Sequence, residues 1–284
     1  MFSKYHLMKK LFTLAIINIC FGCYLQAQRD STENSKPQFK LSVNYNSHLN
    51  YYGRTDSLRS IGFFPLAELW FKNFYINAAP VFVNNVSASF DYAGTVATAG
   101  YLLISDDRKW FNNFYIVKPF YEKNSQLVQS NLKLQGAFSV TNLNKLINMT
   151  GGADVKLSDK VDFGITAGID HIFRKQFADN SVLVVDPSAL LFAGTQQFIH
   201  SYSKRNTPLI LTGAGQTVSE DVKSFNILSY EFSMPVIFGK NKFQLLLTPA
   251  YVIPQNLISV QGRPELSEMG KEMFYATIGA KIIL

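Results

Sequence analysis

Apolar and polar residues alternate along the first well-patterned stretch of the chain. Phe39, Leu41, Val43, Tyr45, Leu49 and Tyr51 hold the odd positions, and Lys40, Ser42, Asn44, Asn46, His48 and Asn50 the even ones; only Ser47 breaks the series. A period of two puts one set on each face of a β-strand. Read as a single strand, Phe39 to Tyr51 covers over ~40 Å at roughly 3.3 Å per residue, enough to cross a bilayer at a tilt. The last stretch has the same pattern. Phe274, Ala276, Ile278, Ala280, Ile282 and Leu284 alternate with Tyr275, Thr277, Gly279 and Lys281, so the first set is expected to face lipid and the second an interior.

Between these ends the pattern predicts further strands at Ile61–Phe71, Phe74–Asn84, Ser87–Ser105, Trp110–Tyr121, Gln126–Val140, Leu146–Leu157, Val161–Phe173, Ala189–Ser203, Phe225–Phe238 and Phe243–Ile253. With the two ends this makes twelve, an even number, as a single-chain barrel requires, with ten or fourteen as alternatives. Short turns at 72–73, 106–109, 142–145 and 239–242 are assigned to the periplasmic rim. Loops near 53–60, 204–224 and 254–272 are assigned to the outside. A conflict sits in the middle. The tight Ser158-Asp159-Lys160 turn falls on the loop side, and the longer Arg174–Pro187 stretch, read as a polar connection, on the turn side. Either one strand is miscounted or 141–147 is a helical turn.

An aromatic pattern occurs twice, as Trp70-Phe71-Lys72-Asn73-Phe74-Tyr75-Ile76 and Trp110-Phe111-Asn112-Asn113-Phe114-Tyr115-Ile116, and more loosely as Phe238-Gly239-Lys240-Asn241-Lys242-Phe243. These read as hairpins whose turns sit at one membrane face, with the rings forming an aromatic belt there. The alternative is a soluble β-protein with aromatic-rich hairpins. Strand length and the confinement of charge to turns, loops and one strand face favour the membrane. In lipid only a closed sheet satisfies its backbone.

Composition agrees. Charged residues make up 17% of the chain and aromatics 14%. Past the N-terminus no apolar run reaches the about 20 residues of a spanning helix. Lys4, Lys9 and Lys10, then the apolar Leu11–Cys23, then Leu25-Gln26-Ala27 read as a signal peptide cleaved after Ala27, with 28–38 a flexible leader and 39–284 the barrel. Lipoprotein processing at Cys23 is the rival reading. Cleavage would remove both cysteines, Cys20 and Cys23, and lower the net charge from +7 to +4. No basic ladder suited to nucleic acid appears.

The amphipathic final strand resembles that of Gram-negative outer-membrane β-barrel proteins, whose last strand usually ends in an aromatic residue read by the assembly machinery; here it ends in Leu284. Arg263-Pro264-Glu265-Leu266-Ser267-Glu268 followed by Met273-Phe274-Tyr275 looks like the C-terminal end of small barrels of this class. The resemblance implies an all-β closed antiparallel transmembrane barrel in the outer membrane, contacting its lipid. It does not specify a function.

Lys40, Asn44, His48, Glu68, Asn77, Asp162, Asp170, Gln196, Glu231 and Lys281 are the candidate lumen-lining residues. Lys40 and Lys281 lie on strands that must pair to close the barrel, so they are expected near each other, with Glu68 or Glu231 in reach. Such groups either set pore selectivity or fill a narrow lumen with ion pairs. Catalysis finds little support. His200 and Ser201 are adjacent, hence on opposite faces; His48 has only Asn46 and Asn50 on its face; His171 ends an apolar face. Isolated histidines and the absence of mature cysteines give no metal site, and Gly151-Gly152 and Gly213-Ala214-Gly215 lack the helix and lysine of a phosphate cradle. No cofactor is expected. Three functional readings follow: passive solute passage or a related transport role, a filled barrel displaying loops to an unknown extracellular or periplasmic protein, and a lipid-modifying enzyme using His48 or His200.

Overall fold

The computed structural model describes residues 36–55, 60–86, 88–122, 132–197, 224–258, 268 and 270–284. The proposed signal peptide and residues 28–35 of the leader lie outside them, as do most of the 204–224 and 254–272 loops, residues 126–131 of the expected Gln126–Val140 strand, residues 198–203 of the expected Ala189–Ser203 strand, and with them His200. The strands are β1 (Gln38–Asn46), β2 (Asn50–Tyr51), β3 (Arg54–Thr55), β4 (Ile61–Phe71), β5 (Phe74–Asn85), β6 (Ala88–Ile104), β7 (Trp110–Tyr121), β8 (Leu134–Asn142), β9 (Asn148–Leu157), β10 (Val161–Asp170), β11 (Phe173–Gln176), β12 (Ser181–Val185), β13 (Ser188–Gly194), β14 (Asn226–Ser233), β15 (Val236–Lys240), β16 (Phe243–Pro254) and β17 (Met273–Ile283).

Twelve of these make the wall. Each of β4 to β9 pairs antiparallel with the next, β10 pairs with β13, β13 with β14, β14 with β16, β16 with β17, and β17 with β1, which also pairs with β4. The ring is therefore closed, with Ser42 opposite Lys281 at the seam. β11, β12 and β15 continue β10, β13 and β14 past local breaks. These breaks fall in one row: His171 N donates to Pro187 O, Asp186 N to Pro235 O, and Met234 N to Pro249 O. Proline lacks an N–H, so its row interrupts the ladder where one proline strand follows another.

This removes the conflict between the 158–160 and 174–187 connections. The stretch from Arg174 to Pro187 is not a polar loop. It is the β11–β12 hairpin, turning at 177–180. The strand count of twelve stands, 141–147 is not helical, and 158–160 is a tight turn on the rim opposite the chain ends.

Outward positions carry apolar side chains that remain exposed, such as Val43, Ile76, Ile116, Phe163, Leu245 and Phe274. Inward neighbours are buried, so the alternation has one face toward lipid and one toward the interior. The first strand is shorter than its pattern suggests. β1 stops at Asn46, and Asn50 to Thr55 folds back on itself as the β2–β3 hairpin.

The two aromatic repeats differ in kind. The first is a hairpin, with Lys72 at φ 53° in its turn. The second runs straight through β7; its turn lies upstream at 105–109, where Arg108 takes φ 54° and Asp107 accepts from Lys109 N at 3.1 Å. The rings also do not all join one belt. Adjacent residues point to opposite faces. Phe71, Phe74, Trp110 and Phe114 face out, whereas Trp70, Tyr75 and Phe111 are buried. Trp70 and Tyr75 stack inside the barrel with centroids 4.6 Å apart.

Candidate functional site in the lumen

The chain after β1, residues 47–55, turns into the extracellular half of the interior, where Leu49, Asn50, Tyr51, Tyr52 and Arg54 are buried. Its path begins at the seam. Asn46 Nδ2 donates to Thr277 Oγ1 at 3.0 Å, Ser47 N to Ala276 O at 2.9 Å, and Ala276 N to Ser47 Oγ at 2.9 Å. The Asn46 side chain also accepts from His48 N at 2.9 Å, which bends the chain off the wall. Tyr52 (φ 54°) and Gly53 (φ 73°) then make a two-residue turn with both central residues left-handed. Gly53 is required twice over: a side chain there would be strained, and its Cβ would lie 2.8 Å from Pro254 Cδ.

The turn delivers three large side chains into the lumen. Leu49 packs in an apolar cluster with Phe64, Val81, Val83, Ala93, Val96 and Val117 on the inner faces of β4 to β7. The Tyr52 ring meets Phe192 of β13 at 5.0 Å, with Lys156 Nζ of β9 5.9 Å from its centroid. Arg54 is only 3% exposed and its guanidinium is fully used. Nε donates to both Glu268 oxygens at 3.1 Å, Nη1 to Tyr52 O at 3.1 Å and Leu228 O at 3.0 Å, and Nη2 to Gln196 Oε1 at 2.7 Å and Gln255 O at 3.1 Å. One cation thus ties the hairpin to the connections after β13 and β16. An arginine suits this role because its planar fork satisfies several acceptors at once.

Nearer the other rim, the closing strands bring Lys40, Glu68 and Lys281 together. Lys40 stands opposite Glu68 across β1–β4. Lys281 Nζ lies 2.8 Å from Glu68 Oε1, Trp70 Nε1 donates to Glu68 Oε2 at 3.3 Å, and Lys40 Nζ sits 4.8 Å from the Trp70 ring centroid. Tyr75 extends this group to β7 through Asn113 at 3.2 Å, its ring lying over Gly100. Asn77 shares its inward row with Glu68 and Thr98. Asn44 Nδ2 donates to Ser42 Oγ at 3.3 Å and Phe64 O at 3.4 Å.

A second charged group lies across the lumen. Lys156 and Asp154 pair closely, in room left by Gly164. Asp162 accepts from Thr195 Oγ1 at 2.6 Å and from Gln197 N at 2.7 Å. Asp170 accepts from Asn148 Nδ2 at 2.6 Å at the periplasmic rim. Glu231 stands apart from both groups, buried in the row of Val252 and Met273. Gln196 follows β13 and holds Arg54. His48 lies beyond the end of β1, its Nδ1 3.3 Å from Ser47 Oγ.

The interior is filled unevenly. Between β8 and β10 the inward residues toward the periplasmic side are small: Ala137, Ser139, Thr141, Thr150, Gly152, Thr166 and Gly168, all partly exposed. The opposite wall carries the Lys40–Glu68–Lys281–Trp70–Tyr75 group, of which only Lys281 escapes full burial. Sequence reasoning missed Arg54, Tyr52 and Lys156. The Tyr52-Gly53 dipeptide was the available turn signal.

A closed twelve-strand antiparallel barrel with an apolar outer face defines an outer-membrane β-barrel protein. Its fold is similar to that of an outer membrane channel from Pseudomonas putida F1, with a TM-score of 0.50 at 10% identity, covering 90% of this chain and 98% of that one. KdgM porin aligns with a TM-score of 0.49 at 8% identity over 86% of this chain and 98% of that one. NanC porin aligns with a TM-score of 0.42 at 10% identity over the same shares. No protein-family model and no curated protein matches the sequence.

Proposed function

We propose that this barrel passes small solutes through a lumen shut at rest by the Asn50–Thr55 hairpin. One observation carries the reading. β2 and β3 pair with each other and form a sheet separate from the wall. Among the described residues, Leu49 N to Ser60 O and a bridge from Arg54 to Gly270 are the backbone ties at the ends of this hairpin. The hairpin can therefore withdraw without breaking any wall ladder, whereas an interior filled by wall side chains alone could not clear. The small, partly exposed residues of β8 to β10 supply a water-reachable path up to it. Lys40, Glu68, Lys281, Asn77, Asp162 and the other polar inward groups would set what passes.

A second reading, a permanently filled barrel that presents its connections to a partner, is favoured by the apolar cluster around Leu49. The two separate in planar bilayers. Replacing Asn50–Thr55 with a Gly-Ser link is expected to turn rare openings into steady stepwise conductance. Silence of that folded variant at all voltages would leave the filled barrel in its place.

A further inference from the structure

The row of breaks at 171–172 and 186–187 has a consequence at the periplasmic rim. β9 ends at Asn148, opposite Asp170, and the chain there turns away toward β8. β11 therefore runs on with a neighbour on one side only, pairing with β12 from Phe173↔Val185 to Gln176↔Val182. Among the described residues no strand covers its other edge. All four of its residues are exposed. Beside this free edge lies a half-open cavity of about 670 Å³, bounded by the 105–109 turn, the 143–147 connection and β11 itself. That volume is in the range of true ligand sites, about 300–1,000 Å³.

The cavity has one sign of charge. Lys109, Lys145 and Arg174 line it, together with His171, Asn144 and Asn148, and no carboxylate is among its lining residues. Two carboxylates stand at its margin and not in its lining: Asp170, which accepts from Asn148, and Asp107, 3.8 Å from Lys109 in solvent. Lys175 adds a further cation on the edge strand, its Nζ 5.3 Å from the Phe177 ring. Charges on an edge strand deter casual pairing. Here they are both cationic, so they repel a basic partner strand and favour an acidic one.

We infer that the free edge of β11 and the basic cavity beside it form a docking site for an extended acidic peptide segment of a periplasmic protein. The peptide would add as a strand to Phe173–Gln176, with main-chain hydrogen bonds giving attachment. Its carboxylates would enter the cavity toward Lys109, Lys145 and Arg174 giving selection. The site is on the rim and does not depend on whether the lumen conducts.

The test uses the full-length barrel in lipid nanodiscs and three labelled peptides of about eight residues, a common strand length. One alternates Val and Glu; one has that sequence with alternate backbone nitrogens methylated; one has Lys in place of Glu. Fluorescence anisotropy is expected to show saturable binding of the Val-Glu peptide, at least about tenfold weaker binding of the methylated one, and none of the Lys peptide. Arg174→Glu and Lys145→Glu, both on exposed residues, should each weaken the Val-Glu peptide about tenfold. Equal binding of the methylated peptide would show that the cavity attracts anions without strand addition, and would overturn the proposal. So would unchanged binding by the two charge-reversal variants. Should either variant fail to fold, the methylated comparison on the unmodified barrel decides the matter alone.

Discussion

Arg54→Ala is the sharpest probe of the closed lumen. In the structure the guanidinium is 3% exposed and its partner Glu268 carboxylate 6% exposed. Removing one member of a buried pair leaves the other charge desolvated and unpaired, at about 3–5 kcal/mol. The carbonyls of Tyr52, Leu228 and Gln255 lose a donor as well. All of these groups regain water when the hairpin withdraws, so the penalty falls on the closed state and not on the open one. At about 1.4 kcal/mol per decade, the open-to-closed ratio should rise by roughly two to three and a half orders of magnitude. Single-channel recording in planar bilayers reads this as a higher open probability at unchanged step size, because the wall is untouched. Arg54→Ala with Glu268→Gln should open less than Arg54→Ala alone, since no stranded carboxylate remains to destabilise the closed form. An Arg54→Ala barrel that migrates as folded in a heat-modifiability assay, yet opens no more often than the parent, would refute the latch.

Four further outcomes follow from the same geometry. Gly53→Ala places a Cβ 2.8 Å from Pro254 at φ 73°, and should loosen the hairpin by about 1–3 kcal/mol, again read as open probability. Lys156→Met strands Asp154 inside the wall, and should lower the urea midpoint by the equivalent of about 3–5 kcal/mol in detergent or lipid unfolding, whereas Lys156→Met with Asp154→Leu should recover most of it. Ile165→Lys, mid-strand on the lipid face of β10, should destabilise by about 2–4 kcal/mol, while Thr166→Lys on the inward face should shift conductance instead. In the 177–180 turn, the Lys240 ammonium and the Ser181 hydroxyl hold the Asp179 carboxyl well below the usual carboxylate range. A lowered folded pKa means that this tie is present above the unfolded value and is lost as pH falls through the folded one. Hydrogen exchange at Ser181 N, which donates to Asp179, should therefore accelerate in strong acid, and Asp179→Asn should flatten that dependence.

Much of the wall could be read before folding, because each wall strand carries its own evidence. Alternation in Val161 to Asp170 or Met273 to Ile283 follows from a two-faced environment that does not change along the strand. The turns at 72–73 and 241–242 are short and polar; Asn241 tolerates the left-handed backbone it adopts, and Lys72 takes the same conformation in the other turn. The misreadings occur where one local pattern serves two environments. Arg174 to Pro187 looked like a connection because its charges and its proline suit a loop, yet charged edges and ladder-breaking prolines are also what the ends of wall strands need beyond the membrane. The second aromatic repeat copies the hairpin of the first in composition, but Asn112 and Asn113 stay extended, since the turn had already been made by Ser105 to Lys109.

The interior hairpin was hidden by a continuity of parity. Leu49 and Tyr51 prolong the odd series of β1, so a count by twos assigns them to lipid; in the fold Leu49, Asn50, Tyr51 and Tyr52 are all buried, on both parities. Four consecutive buried residues cannot belong to a strand with one wet or lipid face, and that is the physical mark of a segment enclosed on all sides. The mark is visible only once the barrel exists to enclose it. What the sequence does carry is the means of entry: Asn46 and Asn50, whose side chains accept from His48 N and Gly53 N, and Gly53, where the backbone must be left-handed and closely approached. Arg54 carries no local signal at all. Apart from the Tyr52 carbonyl two residues back, its acceptors lie 142 to 214 positions away in Gln196, Leu228, Gln255 and Glu268, so its role is set chiefly by closure of the ring. A residue placed in this way is tuned for the assembled barrel, and its substitution is expected to change the lumen's state before it changes the wall's stability.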